Sequence, residues 1–480
     1  MIEELKNNKS IDIKNKNYHR ILYKKKFKNL KILICSNNYL VSIPKINKLE
    51  ELYCNNNLIN NLKNLPNSLK ILNCSSNYLN DLDNLPDKLE ELNCSSNRIL
   101  YLENLPKSLK SINISFNLLS NLNINHTFNN LVKLECYNNT LNFLEKLPNS
   151  LEYLDCSYNN LEIITKIPKS LKILKCTCNK IFKIEFNENI QYLDCTDNLL
   201  SKLSKIPDTI EYLNCKNNKL SKLSIHTKNN LKFLNCNKNI INELNLPNNL
   251  EILYCSDNNL DKINNFPLTL KELYCNNNYF KSLDNLPNSL NILDCSINHI
   301  LNLNNLPNNL YELNCYYNNI QNLDLLPSSL NKLICNYNKL LNLNNLPHQL
   351  EYLDCSSNPN LSNIENIPIN LKYFNCSRLP KLCKLENLPN SLKILHTGTD
   401  AVRKPYMHND TFLKENLLNI VLEYKPNMDN DEELIFYNKF FGRVINKLPE
   451  NLEEYEEYNK LNEEDYEKIK LMCPKIYYIF

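Results

Sequence analysis

From Leu30 onward, apolar and polar positions follow one cycle of about twenty residues. Aligned on a recurring cysteine, the cycle reads L-x-x-L-x-C-x-x-N-x-L-x-x-L-x-N-L-P-x-S. In the third copy the apolar slots are Leu69, Leu72, Cys74, Leu79, Leu82 and Leu85, and nineteen copies lie between Leu30 and about Asp400. The stretch from the second Leu to the Cys alternates with period two, which predicts a short strand. The remainder is too short for a helix with two loops, and its Asn and Pro favour turns and extended backbone. Each copy therefore predicts one coil: a strand, a turn at Asn, and an extended return through Leu-Pro. One coil cannot bury its own leucines. Stacked coils can, with strands paired in parallel roughly 4.8 Å apart.

Two slots do more than supply hydrophobicity. The cysteine slot runs from Cys35 to Cys376, with Cys74 and Cys94 typical, and holds Ile114 and Thr397 in two copies. Three residues later Asn fills the slot in the first seventeen copies, Asn38 to Asn358, before Leu379 and Asp400 break the rule. Asn77 and Asn97 are typical. A buried amide offers both donors and acceptors, so it is expected to satisfy peptide groups of its own coil and the next. Asp accepts only and Leu does neither, so the ladder is expected to stop near Leu379.

This pattern resembles the leucine-rich repeat, L-x-x-L-x-L-x-x-N-x-L, with Cys at the third apolar position. The Leu-Pro before each copy, as in Leu65-Pro66 and Leu85-Pro86, resembles the short class of bacterial secreted effectors. The Cys- and Asn-rich version is similar to leucine-rich repeat proteins of amoeba-infecting giant viruses. The resemblance covers about three quarters of the chain. It implies a curved, right-handed leucine-rich repeat solenoid with a parallel β-sheet on the concave face and an extended, irregular convex side. It also implies that the concave face binds another macromolecule, usually a protein.

The ends depart from the cycle. Residues 1–29 are expected to form a basic N-terminal cap on the first coil of a solenoid spanning 30–400. The run Lys24-Lys25-Lys26 with Lys28 is read as a solvated cap face, with a nuclear signal as the alternative. After Asp400, Thr411 to Tyr424, Asp431 to Lys447 and Glu450 to Met472 show helical spacing, so 401–480 is expected to be a small helical cap or a docking module. The Lys-rich start lacks an apolar core, so it does not read as a signal peptide. No stretch of 18 apolar residues is present to span a membrane. Asn-x-Ser sites such as Asn73-Cys74-Ser75 fit a glycan-free, reducing compartment. The expected location is cytoplasmic, in the host cytosol if the chain is viral, with the nucleus as the alternative.

Composition excludes several chemistries. Net charge is +3 with 22% charged residues, so no global field points to nucleic acid or membrane. Asn makes up about a fifth of the chain, and the two glycines, Gly398 and Gly442, cannot build a phosphate-cradling loop. The seven histidines, His19, His126, His226, His299, His348, His396 and His408, are scattered without a catalytic pattern. A ladder of in-register thiols does not converge tetrahedrally on a metal, and the side chains point alike rather than at each other. The ladder cysteines are therefore read as small buried hydrophobes, with redox pairing and metal binding as alternatives. Cys178, Cys383 and Cys473 stand outside the slot. Cys473 lacks the following acidic residue and the chain length of the ubiquitin-ligase domain that related effectors carry. No catalytic, cofactor-binding or metal-binding residue is expected, and no enzyme activity.

What remains is a surface. One outward strand slot reads Tyr153, Ile173, Tyr192, Tyr212, Phe233 and Ile252 across six adjacent copies. A second row, two residues after the cysteine, holds Ile297, Tyr317 and Tyr337, with Tyr316 and Tyr311 beside it. Exposed aromatic rows resemble interface material, although sheets also favour aromatic cross-strand neighbours. Glu135, Asp155 and Asp194 beside the first row are expected to select a basic partner. The expected function is a non-enzymatic protein–protein interaction scaffold. The alternatives are an adaptor recruiting a target to host machinery such as a ubiquitin ligase through 401–480, or a structural virion component.

Overall fold

Each L-x-x-L-x-C segment forms a strand of three residues centred on its second apolar residue. Glu51–Tyr53, Ile71–Asn73 and Glu91–Asn93 pair in parallel, with Leu52, Leu72 and Leu92 in register. The centre points into the core and its two neighbours are half-buried, which is the period-two signal of the sequence. The cysteine follows the strand but still joins the ladder: the Cys35 N–H donates to the Tyr53 carbonyl at 2.8 Å. The structure, a computed structural model, describes residues 9–396 except 22–24, 123, 125–126, 145–146, 227, 383–384 and 386–387. The expected helices of 401–480, with Cys473, lie outside the described residues, as do Lys24, Thr397, Asp400 and Cys383.

The chain divides into two units, Met1–Leu270 and Lys271–Phe480. The first unit carries a parallel sheet of thirteen strands and the second a parallel sheet of seven. Twelve of the thirteen belong to the copies counted above, and the seven to the remaining copies. The architecture is a parallel β-solenoid of about nineteen turns. The return side is extended, as expected, and regular only in short pairs. Ile163–Ile164 pairs with Lys183–Ile184, and Lys222–Leu223 with Glu243–Leu244. In the second unit Asn342–Leu343 pairs with Asn363–Ile364. Leu-Pro sets the turn into each strand: the Leu69 N–H closes on the Pro66 carbonyl at 3.1 Å, and the pattern recurs along the chain.

The extra strand of the first unit is Ser10–Asp12, which pairs with Ile32–Ile34. It belongs to a degenerate coil inside the expected cap. Ile11 sits opposite Leu33, Ile13 stands where the cysteine would be, and Lys16 takes the Asn slot. This coil covers the first leucines, and Leu30 and Leu33 are buried.

The Asn slot stitches the coils. The Asn198 side-chain amide donates to the Cys195 carbonyl of its own coil (3.1 Å) and the Cys176 carbonyl of the preceding coil (2.9 Å). Its oxygen accepts the Ile181 N–H of that preceding coil at 2.9 Å. Asn77 repeats this with Cys74, Cys54 and Ile59, and Asn97 with Cys94, Cys74 and Leu79. The reach is thus backward, to the preceding coil, and not forward to the next. In the second unit the ladder runs to Asn358, which holds Cys355 and Cys335 carbonyls and the Leu340 N–H.

Two further ladders flank it. Two residues after the Pro in many copies, a hydroxyl ties coils together: Ser68 donates to the Leu49 carbonyl (2.7 Å) and Ser170 to Leu151 (2.7 Å). Ser329 does the same to Leu310 at 2.7 Å in the second unit. On the other side, Lys and Glu alternate from coil to coil in Lys31, Glu50, Lys70, Glu90 and Lys110. Lys31 pairs with Glu50, and Lys110 with Glu90 at 2.6 Å. Exposed pairs add little stability. Their alternation instead penalises a skipped coil, which would set like charges opposite each other.

Replacing Asn198 with Ala strands the Ile181 N–H in the interior and leaves the Cys176 and Cys195 carbonyls with one ladder amide each, from Asn179 and Asn218. The expected loss is about 3 kcal/mol, read as a lower urea midpoint. An unchanged midpoint would show that water or relaxation takes over the amide's work.

Candidate interaction surface

The ladder thiols are free and buried. Burial pushes Cys35, Cys74, Cys236, Cys315 and Cys376 up to about 12, and raises Cys54, Cys94 and Cys136 well above the ordinary thiol value. A thiol kept protonated is a poor nucleophile and a poor ligand. No group of three His, Cys, Asp or Glu able to hold a metal ion exists among the described residues. Cys178 differs: it is half-buried, its thiol faces Asp197 Oδ2 at 3.5 Å, and burial again raises its pKa. A small pit lined by Ser42, Ile43 and Asn61 to Leu65 has room for about one water.

The first row lies on the strand face as a register-matched column. Tyr153, Ile173, Tyr192, Tyr212, Phe233 and Ile252 are direct strand partners, and all are half-buried. Tyr192 stacks on Tyr212 at 4.2 Å and 4°, and Tyr212 on Phe233 at 4.3 Å and 3°. Tyr153 is covered by cations instead, with Lys133 at 5.2 Å and Lys175 at 5.7 Å from its ring. Lys175 also reaches Tyr192 at 5.8 Å, spanning Ile173 between them. The rings of Tyr192, Tyr212 and Phe233 therefore satisfy each other's faces. The carboxylates expected to choose a basic partner are largely engaged. Glu135 pairs with Lys133 at 3.0 Å. Asp155 accepts the Ser157 N–H, and Asp194 the Thr196 N–H and hydroxyl.

The second row is not on the strand face. The strands Ile292–Asp294, Glu312–Asn314 and Lys332–Ile334 end before Ile297, Tyr317 and Tyr337. Those three residues occupy a left-handed turn, with φ of 51°, 53° and 55°. The same slot is left-handed in copy after copy, from Asn37 to Arg378, because the chain must turn sharply to place the ladder Asn. Tyr316 joins Tyr337 edge-on at 5.5 Å and Tyr317 at 5.9 Å. Tyr311 precedes its strand, so it sits at the opposite edge of the sheet from Tyr317. The five residues do not form one row.

Sequence reasoning missed two features. In the first unit Tyr39, Leu58, Tyr78 and Leu118 are exposed at the position just after the ladder Asn, and Arg98 lies 4.8 Å over Tyr78. Their signal was a fixed offset from Asn, outside the predicted strand. In the second unit Tyr352 stacks on Tyr373 at 4.1 Å and 1°, continuing the logic of the first row.

Comparison with solved structures settles the architecture. YopM from Yersinia enterocolitica WA-314 matches with a TM-score of 0.68 and 28% identity, over 83% of this chain and 91% of that one. The fold is the leucine-rich repeat solenoid. The functional domain of InlJ from Listeria monocytogenes, described as including a cysteine ladder, matches with a TM-score of 0.52 and 25% identity over 66% and 69% of the two chains. The plant peptide hormone receptor RGFR1, in complex with RGF2, shares the fold with a TM-score of 0.51 and 18% identity, over 78% of this chain and 83% of that one. No family model and no curated protein matches the chain. The cysteine ladder named for the InlJ domain is a counterpart of the in-register thiols here.

Two outcomes follow from this geometry. The ordinary thiol value is 9.0 and the folded one for Cys74 about 12, so burial favours the neutral form. The stability tied to that form is complete below about pH 9 and drains as pH rises toward 12. Alkaline titration by circular dichroism should show unfolding in that window, lessened by Cys→Ala changes; flat stability to pH 12 would contradict it. Separately, a branched side chain at positive φ costs about 1–2 kcal/mol, and Asn tolerates the conformation better. Ile297→Asn should therefore raise the thermal midpoint, and a drop would show that Ile297 packing outweighs the backbone strain.

Proposed function

We propose that this chain is a non-enzymatic scaffold that binds a protein partner through its strand face. The observation that carries the reading is the strand-face column from Tyr153 to Ile252, a continuous half-buried surface in which the rings of Tyr192, Tyr212 and Phe233 are held by cross-strand stacking. Rigid aromatics lose little conformational entropy on binding and supply the residue types that dominate interface energy. Lys133, Lys175 and Asp194 around the column add a polar margin of both signs. The same fold serves a peptide hormone receptor, RGFR1. Buried, protonated thiols favour a reducing compartment, and the Cys- and Asn-rich repeat, similar to those of giant viruses, favours the cytosol of an infected host.

The test is affinity capture from expressing cells with the intact chain and with the Tyr192→Thr/Tyr212→Thr variant. Thr keeps strand preference while removing the rings. A recurrent partner that is lost in the variant, at an unchanged melting midpoint, is the expected result. Equal capture by both would remove the strand column from the binding site.

A further inference from the structure

We infer that the turn edge of the second unit is a docking site for an acidic, extended protein segment, distinct from the strand face. The inference rests on the reading of the chain as a protein-binding scaffold and names the partner's chemistry. Its centre is the cluster of Tyr316, Tyr317 and Tyr337. The ring of Tyr317 lies 6.2 Å from that of Tyr337, and each contacts Tyr316. Tyr317 is 55% exposed and Tyr337 41% exposed, so aromatic surface stands in water past the end of the strands. Arg378 donates to the Tyr337 hydroxyl at 3.2 Å from two coils away, binding the edge into one platform. Tyrosine and arginine together are the residues that most often anchor interfaces.

The backbone gives a second, independent indication. Tyr317 and Tyr337 hold a left-handed conformation that Asn277 and Ser357 fill in other coils of the unit with small polar side chains. A bulky residue in that slot costs about 1–2 kcal/mol of backbone strain. Local strain of this kind concentrates at binding sites.

Charge then selects the partner. In the second unit, the turn residues 275–280, 295–300, 315–320, 335–340, 355–361 and 376–381 contain no Asp or Glu. They carry Lys339, Arg378 and Lys381. A segment running along this edge places carboxylates against Lys339 and Arg378 and apolar side chains against the three rings. Neighbouring coils repeat at one strand spacing, roughly 4.8 Å, so an extended chain meets them in succession.

The experiment is fluorescence anisotropy with the purified full chain. The probe is a short fluorescein-labelled peptide repeating Asp-Leu-Glu-Ser. Its counterparts are the Asn-Leu-Gln-Ser peptide and a short labelled oligothymidylate. The acidic peptide should bind, more weakly as salt rises, and at least about tenfold tighter than the amide peptide. The Tyr317→Asn/Tyr337→Asn variant should lose about tenfold or more in affinity while its melting midpoint stays equal or rises. Arg378→Glu should weaken binding too, and Tyr192→Thr/Tyr212→Thr should leave it unchanged. Loss of cellular capture by that last variant, with peptide binding intact, would support both sites separately. Failure of capture in cells would count against the strand-face reading alone. The inference is overturned by equal binding of the amide peptide, by preference for oligothymidylate, by absence of peptide binding, or by unaltered affinity of the double Asn variant.

Discussion

The rest of this structure depends on a side-chain amide. A coil of about twenty residues has no helix to absorb its backbone polar groups, and its tight turn points carbonyls inward. Asn at the ladder slot answers both ends of that problem, donating to carbonyls of two coils and accepting an N–H from the preceding one, as Asn198 does with Cys195, Cys176 and Ile181. No other residue of that size offers donors and an acceptor in one plane. The core can then be built from leucine and a thiol small enough to stand beside the amide.

That arrangement separates positions that must repeat from positions free to differ. Leu, Cys and Asn slots are buried in almost every coil, while the outward slots vary from Ser111 to Lys133 to Tyr153 in three successive strands. Near-identical coils raise a register problem, since coil n pairs nearly as well with coil n + 2. The alternation of Lys31, Glu50, Lys70, Glu90 and Lys110 opposes that slip, which explains a charge pattern worth little as stability. Variation left over after these demands is where recognition has room: the stacked strand column and the strained turn edge.

Much of this was legible in the sequence because periodicity reports burial. Leu72, Cys74 and Asn77 could be given slots, and the strand centre followed from alternation. What escaped had a weaker or different signal. The strand Ser10–Asp12 offers only Ile11 and Ile13 of the pattern, with Lys16 in the Asn slot, so its coil is recognised by pairing and not by identity. Ser68 and its equivalents were visible in the repeat, but their role depends on which carbonyl lies above them. The row of Ile297, Tyr317 and Tyr337 was visible as a spacing. Whether it lay on the strand or beyond it depended on φ, which residue identity predicted poorly because Ile and Tyr disfavour the left-handed region. Tyr311 was drawn into the same patch by closeness in sequence, and the strand between them sets it at the other edge.

The most direct measurement is amide hydrogen exchange, followed residue by residue, on the full chain. The account predicts slow exchange at the N–H groups that the ladder oxygens accept, Ile59, Leu79, Ile181 and Leu200 in the first unit and Ile300 and Ile320 in the second. Their protection should match that of the strand amides beside them, since one amide network holds both. Fast exchange at these groups, with the strands still protected, would contradict the claim that Asn side chains hold the coils together.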